Sequence, residues 1–258
     1  MIQKFYRSFR VYSDSFYESV SSRASATAVE VASEVSRFVA IKSIIDIGSG
    51  EGVWSKAFID VNPELESILA IDLDSTRITK LANSAVGPKL ECLSVDLNQD
   101  ELPKGTYDLG ICVEVLEHLE YEAAIKLVDY LSETCKVIVF SAGLRGQGGS
   151  GHINEQTFDY WTNLLRDRNF FSVDLFRGKL CDRNKFPTYY SNSIALWVNV
   201  KLDGISLIDS KSILLHGNLP LWDIRSCKTK IRFGLLAILP SSFVTFLSLV
   251  YRKVRIRP

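Results

Sequence analysis

The chain has 258 residues, 47% of them hydrophobic, with 30 Lys and Arg balanced by 30 Asp and Glu. That length buries a full α/β core and leaves residues for additions. Its five cysteines, Cys92, Cys112, Cys135, Cys181 and Cys227, are scattered and form no C-x-x-C pair, which argues against a disulfide framework and for reduced thiols in a cytoplasmic protein.

The first 40 residues read as helices, over 5–17 and 28–40, capping a core that begins at residue 41. Residues 1–7 show no apolar region of a signal peptide, and no internal repeat is visible. The first strand is the apolar run Ser43-Ile44-Ile45, followed by Asp46-Ile47-Gly48-Ser49-Gly50-Glu51-Gly52 and a helix-like stretch from Val53. Glycines at alternate positions build a turn that admits positive φ and lets a ligand touch the backbone. A second run, Ile68 to Ile71, ends in Asp72, 24 residues after Gly48. An acid there can accept both hydroxyls of a ribose. Asp74 is its rival, although Asp74-Ser75 reads as a helix start. A third run, Leu90 to Val95, ends in Asp96, and a fourth, Tyr107 to Val113, ends in Glu114. Strand-like and helix-like stretches alternate, so the fold class is α/β: a Rossmann-like, doubly wound, seven-stranded and mostly parallel sheet.

Glu114-Val115-Leu116-Glu117-His118 follows the fourth strand. On a helical start, Glu114, Glu117 and His118 share a face, where two carboxylates and an imidazole can hold a divalent cation such as Mg²⁺. Alternatively they cap a helix, orient a loop, or supply His118 as a general base. The fifth strand, Val137 to Ser141, opens into a loop with five glycines between 143 and 151. It reads as a mobile loop that can bring His152 over the site as a fourth metal ligand, a base or a substrate contact. The competing reading is a surface loop in which Asn154 caps the next helix. The sixth and seventh strands are expected over 170–176 and 193–200.

Residues 203–227 read as a linker before a different tail. Residues 228–258 carry seven basic residues and no acid, bracketing 19 uncharged residues, Phe233 to Tyr251, that Pro240 divides. Basic ends around an apolar centre suit an anionic membrane surface, here the inner face of the cell membrane, or docking on protein. Nucleic acid is not an expected partner, because few aromatics interleave with the basic residues. Oligomeric state is left open.

The order DIGSGEG, AIDLDS, SVDLNQDELP and YDLGICVEVLEHL resembles the class I S-adenosylmethionine-dependent methyltransferases over about residues 40 to 200. The resemblance implies a core at 41–202. It also implies that Asp46, Gly48, Gly50 and Gly52 hold the methionine portion of S-adenosyl-L-methionine, and that Asp72 with Leu73 takes the ribose. Asp96 and Leu97 would flank the adenine, and Glu114 would stand at the cofactor's reacting end. In some relatives, such as ubiquinone-pathway O-methyltransferases and small-RNA 2′-O-methyltransferases, E-x-x-E-H clusters bind metal, which would make Glu114, Glu117, His118 and His152 the ligands. The run GQGGSGHINEQTFDYW, with VDLFRGKLCDRNKFPTYYSNSIALWV downstream, resembles a bacterial branch associated with surface-glycan biosynthesis. That implies O-methylation of a sugar on a lipid-linked or surface glycan. The alternatives are a lipophilic phenol, as in quinone biosynthesis, or a non-catalytic scaffold in a glycan-assembly complex.

Overall fold

A computed structural model describes residues 14–84, 87–176, 178–182 and 184–202. The helix expected over 5–17 therefore lies largely outside the described residues, as do the linker and the basic-apolar tail. The first described element is one helix, α1 (Asp14–Phe38), where a break had been expected between residues 17 and 28. Its buried residues Ala24, Ala28, Val31, Ala32 and Val35 recur at helical spacing, and buried Val39 follows its last residue. That stripe packs on α2 (Val53–Val61) through Trp54, Ala57 and Phe58. Full burial of a side chain such as Phe58 contributes about 1.5–3 kcal/mol.

The sheet has seven strands: β1 (Ser43–Ile47), β2 (Ser67–Asp72), β3 (Lys89–Ser94), β4 (Tyr107–Val113), β5 (Cys135–Ser141), β6 (Phe170–Val173) and β7 (Ala195–Asn199), in the order β3-β2-β1-β4-β5-β7-β6. The pairs β1–β2, β1–β4, β2–β3 and β4–β5 are parallel, while β7 runs antiparallel between β5 and β6. The remaining helices are α3 (Thr79–Ser84), α4 (Tyr121–Thr134), α5 (Phe158–Arg166) and α6 (Thr188–Ser193). Among the described residues no helix is long and apolar enough to cross a membrane.

Alternation along β1 creates two cores. Ile44 faces α1 and α2, whereas Ile45 and Ile47 face the layer that includes Leu127, Leu131, Trp161 and Leu165 of α4 and α5. Asp46 shares the Ile44 face, so its carboxylate meets Ser55 of α2. The chain leaves β1 toward β2 and β3 on one side and returns to β4 and β5 on the other. The carboxyl end of β1 beside β4 is thus the switch point at which open α/β sheets bind ligands.

Candidate active site

The glycine turn stands at that switch point. The N–H groups of Gly48 and Ser49 both donate to Ile71 O (2.8 and 3.0 Å), and Gly50 N–H donates to Asp72 Oδ2 (2.8 Å). Gly48 has φ 68°, and a Cβ there would sit 2.6 Å from Val115 Cγ2. Only glycine lets the turn pass under the segment that carries Glu114 and Glu117. Gly52 starts α2 in the left-handed conformation (φ 77°) and offers no side-chain cap.

Asp46 lies beneath the turn and is 1% exposed; Ser55 Oγ donates to its Oδ2 at 2.6 Å. Burial raises its carboxyl to about 7, against the opposing pull of the Ser55 hydrogen bond. Asp72 closes β2, and its other oxygen accepts from Asp74 N–H (3.2 Å). Its rival Asp74 is spent locally, on Thr76 Oγ1 (2.5 Å) and Arg77. Leu73 is among the exposed large apolar residues, with 47% of its surface free. Asp96 lies two residues beyond β3, in a turn where its carboxylate accepts from Asn98 N–H (3.0 Å) and Gln99 Nε2 (2.7 Å). Leu97 is partly buried against the core below.

The expected helical start at Glu114 is not formed. Glu114 adopts φ 57°, Leu116–His118 is a single 3₁₀ turn, and α4 begins only at Tyr121. The left-handed kink turns the chain off β4, and Glu114 is held by Ser141 Oγ (2.8 Å) and Gln147 Nε2 (2.6 Å). Burial raises the pKa of Glu114, and these two bonds oppose the rise. Glu117 is 0% exposed, and neither of its carboxylate oxygens has a hydrogen-bond partner. Burial first, and then the neighbouring Glu114 charge, pushes its pKa well above the ordinary carboxylate range.

The glycine loop is placed against the site by its backbone hydrogen bonds. It folds back over Glu117, whose backbone carbonyl accepts from Ile153 N–H (2.9 Å) and Asn154 N–H (3.0 Å). Arg145 N–H donates to Gln156 O (2.8 Å), tying the two ends of the loop together. Asn154 is buried and does not cap α5; Thr157 does, accepting from Tyr160 N–H. His152 therefore packs against the site, with only 8% of its side chain exposed. Its ring meets that of His118 edge-on at 4.8 Å, and its Nε2 stands 4.0 Å from Glu117 Oε1. Ligand atoms of Glu117, His118 and His152 all lie within 4.8 Å of one another, a group that leaves Glu114 outside. Burial, followed by the neighbouring His152, depresses the His118 pKa to about 3.

Four residues of this arrangement were not legible as site residues: Ser55, Gln147, Glu155 and Tyr190. Glu155 bonds His152 Nδ1 at 2.7 Å. Tyr190, in α6, packs edge-on against Trp54 at 5.8 Å. Burial pushes its phenol pKa up, and the Glu114 and Glu117 charges add to the rise. The sequence signals were faint: a lone Glu three residues after His152, and a Tyr pair after Pro187.

Residues 44–137 match a family model described as a methyltransferase domain. No curated protein sequence matches the chain. Among solved structures it is similar to an O-methyltransferase family protein from Burkholderia thailandensis (16% identity, 72% of this chain and 58% of that one, TM-score 0.54). It is also similar to the small RNA methyltransferase HEN1 (18% identity, 70% and 26%, TM-score 0.52). A third is the Burkholderia thailandensis 1,6-didemethyltoxoflavin-N1-methyltransferase, solved with S-adenosylhomocysteine (15% identity, 76% and 84%, TM-score 0.50). The chain spans little more than half the length of the first protein and about a quarter of HEN1. Residues 44–137 thus match a methyltransferase domain, and the sheet around them has the Rossmann-like fold of the methyltransferases of known structure.

Proposed function

We propose that the chain transfers a methyl group from S-adenosyl-L-methionine to a hydroxyl, and that the acceptor meets the cofactor at Glu117, His118 and His152. One observation carries this reading: three potential ligand atoms lie within 4.8 Å of one another, two of them on the segment whose Val115 packs on the Gly48 turn and the third on the glycine loop. In this proposal the turn and Asp46 serve the methionine end, Asp72 with Leu73 the ribose, and Asp96 with Leu97 the adenine. The acceptor oxygen displaces the sulfonium in line: the O–C bond forms as the C–S bond breaks, and S-adenosylhomocysteine leaves. Holding the two reactants in line is the main task left to the protein.

An alcohol must also lose its proton. His118, with a pKa near 3, binds a proton too weakly to take one from an alcohol, but it is in the neutral form that ligates metals. A buried carboxylate without a partner beside two imidazoles fits a divalent cation. Two nitrogen donors favour Mn²⁺, Co²⁺ or Zn²⁺ over the Mg²⁺ first expected. A cation held by Glu117, His118 and His152 would supply positive charge that lowers the pKa of the acceptor hydroxyl, so that its proton passes to water.

For the acceptor we propose a sugar hydroxyl on a lipid-linked or surface glycan, supported by the resemblance of the runs Gly146 to Trp161 and Val173 to Val198 to the glycan-associated branch. The basic-apolar tail would bring the enzyme to the membrane face carrying that acceptor. Incubating the full chain with methyl-labelled S-adenosylmethionine and extracted glycans and lipids tests this. Label in the saccharide fraction, reduced by chelator and restored by Mn²⁺, is the expected result. Label only in a phenolic lipid overturns the glycan assignment. No label in any fraction, despite cofactor binding, favours the scaffold.

A further inference from the structure

Glu155 had no assigned role, yet its carboxylate is among the most fully satisfied groups at the site. Gly146 N–H donates to Oε2 (2.9 Å), Gly148 N–H donates to Oε1 (2.6 Å), and His152 Nδ1 lies 2.7 Å from the same Oε1. Glu155 and the His152 side chain are both almost completely covered. A carboxylate that already accepts two backbone N–H groups offers only lone pairs, so Nδ1 carries the hydrogen and donates. In the neutral imidazole the other nitrogen, Nε2, is then an acceptor. It stands 4.0 Å from Glu117 Oε1, beyond hydrogen-bond distance.

We propose that Glu155 is a positioning residue: it locks His152 in the Nδ1–H tautomer, with the Nε2 lone pair turned into the site. The loop's own glycines complete the device. A Cβ on Gly149 would fall 2.1 Å from His152 Nε2, so the loop backbone lies directly against the ring and fixes its position while Glu155 fixes its orientation. Carboxylate–imidazole pairs of this kind set the tautomer of metal-ligating and proton-accepting histidines alike. The inference rests on the reading that His152 works at the acceptor site, and it names what prepares that histidine.

The test reads the tautomer directly, apart from turnover. Long-range ¹H–¹⁵N spectra of the ¹⁵N-labelled full chain, assigned by loss of the His152 signal in His152→Gln, are expected to show Nδ1 protonated and Nε2 bare at neutral pH. Protonated Nε2 with bare Nδ1 in the wild type overturns the proposal without need of any variant. In Glu155→Ala the tautomer is expected to change, and Co²⁺ affinity, read from the visible absorption of the bound ion, is expected to fall about 10- to 100-fold. Glu155→Asp should restore part of that affinity. S-adenosylhomocysteine affinity should stay unchanged in both variants, because the glycine turn does not depend on Glu155. An unaltered tautomer and Co²⁺ affinity in Glu155→Ala would refute the role. A wild type with the expected tautomer but no methyl transfer to any acceptor would instead sink the function proposed above.

Discussion

Replacing Asp46 by Asn tests whether the acid beneath the glycine turn costs the fold stability. Its carboxyl is buried, has one strong donor in Ser55 at 2.6 Å, and is raised from 3.8 to about 7 by desolvation. A raised acid favours the fold below its unfolded pKa and loses that contribution as pH rises through the folded value. A rise of about three pH units at 1.36 kcal/mol each puts the wild-type penalty above pH 7 on the order of 4 kcal/mol. Asp46→Asn removes the charge but faces an unpaired amide N–H, which returns about 1–3 kcal/mol. The variant should therefore be more stable than the wild type by about 1–3 kcal/mol at pH 8, or roughly 2–12 °C in Tm for a domain of this size. At pH 4, where both forms are neutral, it should be level or slightly less stable. Urea denaturation of both proteins at pH 4, 6 and 8 measures the difference. A difference independent of pH, or a variant less stable at pH 8, would refute the reasoning.

Two further outcomes follow from the acceptor end. Glu117→Gln removes a buried charge without a partner, so in chelator at pH 8 its Tm should exceed that of the wild type, by about 1–3 kcal/mol of stability. Added Mn²⁺ should raise the Tm of the wild type only; equal responses would contradict a cation at Glu117. Gly149→Ala should displace the His152 ring and lower methyl transfer at least tenfold while leaving S-adenosylhomocysteine affinity unchanged, as paired rate and binding measurements would show.

The β1–β4 half of the fold was legible because its signals are local. β4 was expected over Tyr107–Val113, and those are its bounds. The glycine turn and the apolar run ending in Asp72 needed only neighbouring residues to be read. The break expected in the N-terminal helix arose from Ser21, Ser22, Ser25 and Thr27, which favour caps in isolation. In the structure the stripe from Ala24 to Val35 against α2 overrides that preference. The cluster of Glu117, His118 and His152 was less legible because it is made by return of the chain. The 3₁₀ turn at Leu116–His118 follows from the left-handed Glu114, a conformation that an E-V-L-E-H string does not announce. Five glycines suggested mobility; at Gly143 and Gly149 they serve close approach to Glu117 and His152. The role of Glu155 needs the loop to double back so that Gly146 and Gly148 meet it, a long-range fact that its spacing from His152 only hints at.

The central claim is that the Asp46–Gly52 turn builds an S-adenosylmethionine site at the switch point of the sheet. Isothermal titration of S-adenosylmethionine into the full chain and into Gly48→Val, with folding of both checked by circular dichroism, tests it most directly. Saturable one-site binding by the wild type is predicted, lost in Gly48→Val because the new side chain meets Val115 and strains a left-handed turn. A folded wild-type chain that takes up no S-adenosylmethionine, or a variant that binds it equally well, would contradict the account.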